Sequence, residues 1–294
     1  MAELQTNTGK VRRYRPLTSA DKAQGLELSS EAGWNQNAAD WDLLMQVCRG
    51  WGAERTDGRL IGTTMAWQPT ATQAWINMVL VAARSRGQGV ARRLMDECLA
   101  DPELGGTATL LDATDMGAHL YTKLGFAGDR EIIRLLRPAI PADPGSAEDS
   151  PGLRPITAKD MEAIVGFDAQ VSGVHRPDVL RNFFDRLPQG AWVQTDGSNR
   201  PIGFVLGRDG RIGVQLGPVV ANTAEIACRL LDRALANVAG PVVIDAPGEA
   251  AEWRARLRER GFVAQRRFVR MGLNAAEWPT NWSRYHAISG PDFA

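Results

Sequence analysis

The chain has only three cysteines and three histidines in 294 residues, and they are scattered. Cys48, Cys98 and Cys228 stand far apart and without metal-ligand spacing, which excludes a disulfide framework and a zinc site as organising features. No metal is expected. Charge of one sign is missing too, since 34 basic residues balance 34 acidic ones. A balanced chain lacks the electrostatic footprint of a nucleic-acid binder or a membrane-surface protein, so neither partner is expected. No apolar run approaches the roughly 20 residues that span a bilayer. Residues 1–10 lack the apolar stretch of a signal peptide. A reducing, cytoplasmic setting is the default, with a small molecule as the expected partner and no oligomeric state indicated.

What is present is a repeat of a whole domain. Arg15-Pro16-Leu17-Thr18-Ser19-Ala20-Asp21 recurs as Arg154-Pro155-Ile156-Thr157-Ala158-Lys159-Asp160, each a strand end followed by a capped helix start. Ile61-Gly62 matches Ile202-Gly203, and Val90-Ala91-Arg92-Arg93-Leu94-Met95-Asp96 matches Ile226-Ala227-Cys228-Arg229-Leu230-Leu231-Asp232. Leu124-Gly125-Phe126 returns as Arg260-Gly261-Phe262. The matches keep one order and a nearly constant separation. Between the copies, residues 138–146 are rich in Pro, Gly and Ser and read as a linker. The expected division is a catalytic domain over 1–139, a linker over 140–151, a second domain over 152–274, and a tail over 275–294.

Periodicity predicts strands over 11–15, 51–55, 60–67, 75–82 and 108–113, with closing strands within 126–136. Helices are expected over 20–29, 39–48, 90–100 and 114–124. Hairpins mixed with one parallel crossover give an α/β class, a mixed sheet with helices on both sides. The helix from Val90 carries an apolar stripe through Leu94 and Cys98, and its other side offers Arg92/Asp96 and Arg93/Glu97 pairs.

Between the strand over 75–82 and that helix lies Arg86-Gly87-Gln88-Gly89-Val90-Ala91. Two glycines allow a sharp turn that presents backbone N–H groups at an open helix start, where unpaired donors and the helix dipole favour an anion. A dinucleotide fingerprint needs G-x-G-x-x-G and a Walker loop ends in Gly-Lys-Ser/Thr; neither is present. A plain glycine turn capping a helix is the alternative reading of these six residues.

The run R-x-x-G-x-A, preceded by Val79-Leu80-Val81, resembles the acetyl-CoA motif of the GNAT superfamily of N-acetyltransferases. A second stretch, Leu111-Asp112-Ala113-Thr114 leading to Leu120-Tyr121-Thr122-Lys123-Leu124-Gly125-Phe126, resembles the closing motif of that family. Gly33-Trp34-Asn35-Gln36 with Asp40-Trp41, and the two-copy layout, resemble a bacterial subgroup of tandem GNAT proteins. The resemblance implies two tandem GNAT-like acyl-CoA N-acyltransferase domains, with acetyl-CoA as acyl donor and a small-molecule amine or amino acid as acceptor. It places pantetheine against the backbone of Leu80 and Val81. Pyrophosphate falls on Arg86, Gly87, Gln88, Gly89, Val90 and Ala91, and the Tyr121 hydroxyl beside the thioester sulfur. Trp34, Asn35 and Trp41 become acceptor-pocket candidates. The implied reaction is direct attack by the amine in a ternary complex, with Tyr121 as acid. The base stays open among Glu31, Asp40, Asp112 and His119. A non-catalytic acyl-CoA sensor and a transferase of longer acyl groups are the alternatives.

The second copy departs from this pattern. Asn222, Thr223 and Glu225 stand opposite Arg86, Gly87 and Gly89, and Leu257 opposite Tyr121. A glutamate repels pyrophosphate, and loss of the glycines stiffens the turn. The second half is expected to be degenerate, with a structural role or one wall of the acceptor site as its work.

Overall fold

The computed structural model describes residues 11–141, 143, 150–275 and 278–294. Part of the expected linker, two residues of the expected tail and residues 1–10 fall outside the described residues. The chain packs as two compact units, Met1–Trp67 with Ile76–Gly105, and Gln68–Trp75 with Gly106–Ala294.

The first unit begins with β1 (Val11–Pro16), whose end is fixed by a short acid–base clasp. Arg15 grips Asp21 through two bonds of 2.8 and 2.7 Å, while Asp21 accepts the Thr18 N–H at 2.8 Å and so caps the turn that opens α1 (Lys22–Glu31). Then come α2 (Ala38–Val47), β2 (Cys48–Arg55), β3 (Leu60–Thr70), β4 (Gln73–Val81) and α3 (Val90–Leu99). Strands β1, β2 and β3 form an antiparallel meander. Helix α3 puts Val90, Leu94, Met95 and Cys98 inside and leaves Arg92 and Arg93 outside, paired to Asp96 and Glu97 at 2.9 and 2.8 Å. These exposed pairs contribute a few tenths of a kcal/mol each.

The second unit holds the start of β4, then β5 (Ala108–Ala113), α4 (Asp115–Lys123) and β6 (Ala127–Ile140). The second copy follows as β7 (Leu153–Pro155), α5 (Met161–Ser172), α6 (Pro177–Arg186), β8 (Trp192–Thr195), β9 (Pro201–Arg208) and β10 (Val214–Ala221). It closes with α7 (Ala224–Asn237), β11 (Gly240–Pro247), α8 (Ala251–Glu259) and β12 (Val263–Leu273), and a short β13 (Tyr285–Ala287) pairs with β10. The opening clasp recurs, with Arg154 on Asp160 at 2.8 and 2.7 Å and the Thr157 N–H on Asp160 at 2.8 Å. Its core lies between α7, α8 and the strands, through Leu216, Leu230, Ile244, Leu257 and Phe262. The architecture is a mixed α/β sheet that carries both copies of the repeat, as the sequence pattern predicts.

The closing strands are exchanged between the copies. In the second unit the order runs β5-β12-β6-β11-β10, so β12 of the second copy lies on β5 of the first and β6 of the first lies on β11 of the second. Instead of several closing strands within 126–136, one strand runs from Ala127 to Ile140, long enough to pair with both β12 and β11. Each exchanged strand carries an arginine that grips an aspartate across the ladder. Arg270 on β12 binds Asp112 on β5 through two bonds of 2.9 Å, and Arg134 on β6 binds Asp245 on β11 at 2.8 and 2.7 Å. Each pair is directly opposite in register. The compact units therefore do not follow the repeat, because the strands that end one copy complete the other. Among the described residues no helix is long and apolar enough to cross a membrane.

Candidate active site

Strand β4 leads into the glycine loop. Its parallel ladder with β5 pairs Gln73 with Ala108, Ala74 with Thr109 and Trp75 with Leu110. Three residues on, Met78 takes φ 49°. A non-glycine residue in the left-handed region costs on the order of 1 kcal/mol, and the buried Thr63 hydroxyl secures the kink by donating to the Met78 carbonyl at 2.7 Å. The kink interrupts the strand's regular alternation just before Val79, Leu80 and Val81. Nothing in the sequence signals it. Gly62 on β3 sits beneath: a Cβ there would stand 2.9 Å from the Leu80 carbonyl oxygen, so only glycine lets the strands approach.

After Val81 the chain turns. The Ala82 N–H donates to the Ile61 carbonyl at 2.9 Å, and a tight turn over Ala83–Ser85 follows. Gly87 and Gly89 take φ 72° and 77°, and Gly89 caps α3 from the left-handed region. Among the described residues, the backbone N–H groups of 87–92 have no acceptor, and residues 86–89 are exposed. A row of unpaired donors running into a helix start is an anion cradle. Arg86 turns back: its Nε donates to the Val81 carbonyl at 3.0 Å, so it braces the loop as well as adding charge. The Gln88 side-chain amide donates to the Arg84 carbonyl at 3.2 Å.

Tyr121 lies in the second unit, on α4. Thr114 caps that helix by accepting the Gly117 N–H at 3.3 Å, and Gly125 follows its end at φ 92°. Tyr121 packs edge-on to Phe126 with ring centroids 6.1 Å apart. Gly117 makes the space for it, since a Cβ there would stand 2.8 Å from the Tyr121 ring. Burial pushes the phenol pKa above its ordinary value, which keeps the proton on the oxygen. Among the described residues the hydroxyl has no hydrogen-bond partner, so that proton is available to a ligand.

The acceptor candidates divide. Trp34 is half-buried and Asn35 buried in the turn after α1, where Gly33 takes φ 71° and the Trp34 N–H reaches the Ser29 carbonyl at 2.9 Å. Trp41 is a core residue instead of a pocket wall. Its ring is fully buried, its indole N–H donates to the Ser29 hydroxyl at 3.0 Å, and it packs where a side chain on Gly25 would collide with it.

The base candidates divide as well. Asp40 is buried in the cap of α2, accepting the Asn37 N–H at 2.9 Å. Asp112 is held by Arg270, with the two side chains 0% and 2% exposed. His119 is exposed on α4. Glu31 lines a cleft of about 390 Å³ with Leu28, Arg59 and Arg84, and accepts the Ala83 N–H at 3.1 Å.

In the second copy the equivalent turn is closed. Thr223 caps α7 by accepting the Ile226 N–H at 3.4 Å, Glu225 pairs with Arg256 at 3.1 Å, and Asn222 accepts a bond from Arg284. Leu257 is fully buried core.

Both copies resemble known proteins. The acetyltransferase (GNAT) domain matches twice, over residues 47–127 and 164–287. An uncharacterized N-acetyltransferase of Bacillus subtilis (strain 168), YitH, is 24% identical over 241 residues, 81% of this chain and 83% of its own. Holothin acyltransferase of Pseudoalteromonas sp. (strain SANK 73390) is 28% identical over 66% of this chain and 64% of its own. A provisionally assigned acetyltransferase of Pyrococcus horikoshii superposes with a TM-score of 0.76 at 17% identity, covering 96% of this chain and 95% of that one. Fold and site thus define an acyltransferase whose donor is an acyl-CoA. The chain belongs to the GNAT superfamily, as a tandem member.

Proposed function

We propose that the chain is an N-acetyltransferase that moves the acetyl group of acetyl-CoA to the primary amine of a small molecule or amino acid, in the cytoplasm. The row of unpaired N–H groups over residues 87–92 carries this reading. Pyrophosphate is the anion of a CoA donor that suits a cradle of backbone donors at a helix start. Leu80 and Val81 pair with the pantetheine amides; the Val81 carbonyl keeps a second lone pair beside its bond from Arg86. The amine attacks the thioester carbonyl, a C–N bond forms, the C–S bond breaks, and Tyr121 gives its proton to the departing thiolate. Of the four base candidates, Glu31 alone lines the cleft, and it takes the proton released by the amine, directly or through water. Positioning and stabilisation of the oxyanion supply most of the acceleration.

The test is release of free CoA thiol from acetyl-CoA mixed with a panel of amines, amino acids and peptides. Turnover with an amine is expected; tight CoA binding without turnover on any acceptor overturns the reading. One relative is named for acyl transfer, a class that spans acetyl and longer groups, so a longer acyl donor is the second reading. Thermal shifts with acetyl-, propionyl- and longer acyl-CoA separate the two donors.

A further inference from the structure

The opening in the second copy has an occupant. Strands β10 and β11 pair only as Val214 with Val242 and Gln215 with Val243, and residues 284–294 then run in beside them. Tyr285 and Ala287 of β13 pair antiparallel with Val220 and Val219, and the Ala221 N–H donates to the Arg284 carbonyl at 2.9 Å. On the other side the Ile288 N–H donates to the Asp245 carbonyl of β11, also at 2.9 Å. The segment therefore bonds both strands at once. Gly217 on β10 is shaped for it, because a Cβ there would land on the Ile288 carbonyl oxygen.

Side chains complete the seat. Buried Arg208 donates to the Ser289 carbonyl at 2.8 Å. Arg176, fully buried against Asp168, donates to the carbonyls of Phe293 and Ala294, both at 2.7 Å. The Tyr285 hydroxyl accepts from Arg176 at 2.8 Å and donates to the Ala294 carbonyl at 3.0 Å. Tyr285, Ala287, Ile288, Ser289 and Phe293 are all buried. Main-chain pairing with pockets for alternate side chains is how a sheet receives a peptide strand.

By element order in the repeat, β10 and β11 correspond to β4 and β5. We propose that the second copy is a peptide-strand-binding module whose ligand is residues 284–294 of this chain, seated where a CoA donor would otherwise lie. Only the identity of what is displaced rests on the donor reading of the first copy. The backbone groups that a pantetheine arm needs on β10 and β11 are already paired, and the neighbouring turn has lost its glycines.

Hydrogen exchange on the intact chain tests the seat. The amides of 285–288 are expected to exchange as slowly as those of β10, and Gly217→Val is expected to speed them at least tenfold. Exchange of 285–288 at loop rates in the unaltered chain overturns the proposal. Ile288→Pro removes the N–H given to Asp245 and is expected to release the segment. A fluorescent synthetic peptide of residues 283–294 then binds the full-length Ile288→Pro chain one to one, and binds the unaltered chain at least tenfold more weakly. Equal binding to both, or none to a folded Ile288→Pro chain, overturns it. No donor is present in these assays, so their failure is distinct from a failure of acetyl-CoA to bind the first copy, which calorimetric titration reads.

Discussion

Replacing Arg270 with methionine leaves the Asp112 carboxylate buried without a partner. The two bonds of 2.9 Å join side chains that are almost wholly shielded. Breaking such a pair from one side costs about 3–5 kcal/mol. The Arg270 guanidinium also lies 4.5 Å from the centroid of the Trp75 ring and 5.1 Å from that of Trp282. Methionine keeps much of that contact but not its charge. A loss of about 4 kcal/mol is expected, and in a unit of this size it lowers the Tm by about 8–16 °C. Adding Asp112→Leu removes the stranded charge, and the double variant is expected to recover to within about 1 kcal/mol of the parent. Unfolding followed by tryptophan fluorescence reports it directly, since Trp75 and Trp282 flank the arginine. An unchanged Tm in Arg270→Met, or a double variant no better than the single, refutes the reasoning. Asp112→Asn gives the catalytic counterpart. It is expected to lose stability first, whereas full stability with lost turnover would restore Asp112 as a base.

Tyr121→Phe removes the proton and keeps the ring; turnover falls about 100-fold while the Kd for CoA, measured by calorimetry, stays the same. Gly89→Ala puts a side chain at φ 77°, which costs about 1–2 kcal/mol locally and weakens CoA binding about tenfold by turning the N–H row away. Glu31→Gln is expected to lower turnover at least tenfold, leaving CoA affinity, measured by calorimetry, intact. The Arg154 guanidinium beside Asp160 holds its carboxyl well below the usual range, with help from Thr157. The folded pKa lies below the unfolded one, so this contribution is fully present above about pH 5 and is lost as the pH falls through the folded value. Arg154→Gln is therefore expected to move the midpoint of acid unfolding, followed by circular dichroism, to higher pH.

Sequence alone exposed the repeat, the glycine loop and the sheet class, because each rests on local spacing. Arg15 with Asp21 and Arg154 with Asp160 are six residues apart in both copies, and their clasp was readable as a capped start. The strand exchange was not readable. Strands β6 and β12 show much the same burial pattern, and neither says which copy it will lie against. A signal exists in Arg134 and Arg270, which occupy the same place relative to Gly125 and Gly261, but Asp112 also stands among the base candidates and nothing in the sequence marks Asp245. The family resemblance puts Trp41 among the acceptor-pocket candidates, with the segment that joins the first two helices. Gly25, sixteen positions upstream, decides that it is core. The Met78 kink and the three-residue β13 have no periodicity to reveal them.

The exchanged strands set an order on how the molecule is made. Strand β5 meets its neighbour β12 across a separation of 158 residues at the Arg270–Asp112 pair. A chain leaving the ribosome therefore holds its first copy with one seam open until the second copy has been translated almost to its end. Contacts this distant form slowly and leave strand edges bare meanwhile. Cutting the gene between the repeats would not give two enzymes, one working and one idle. It would give two halves that each need the other to close a sheet.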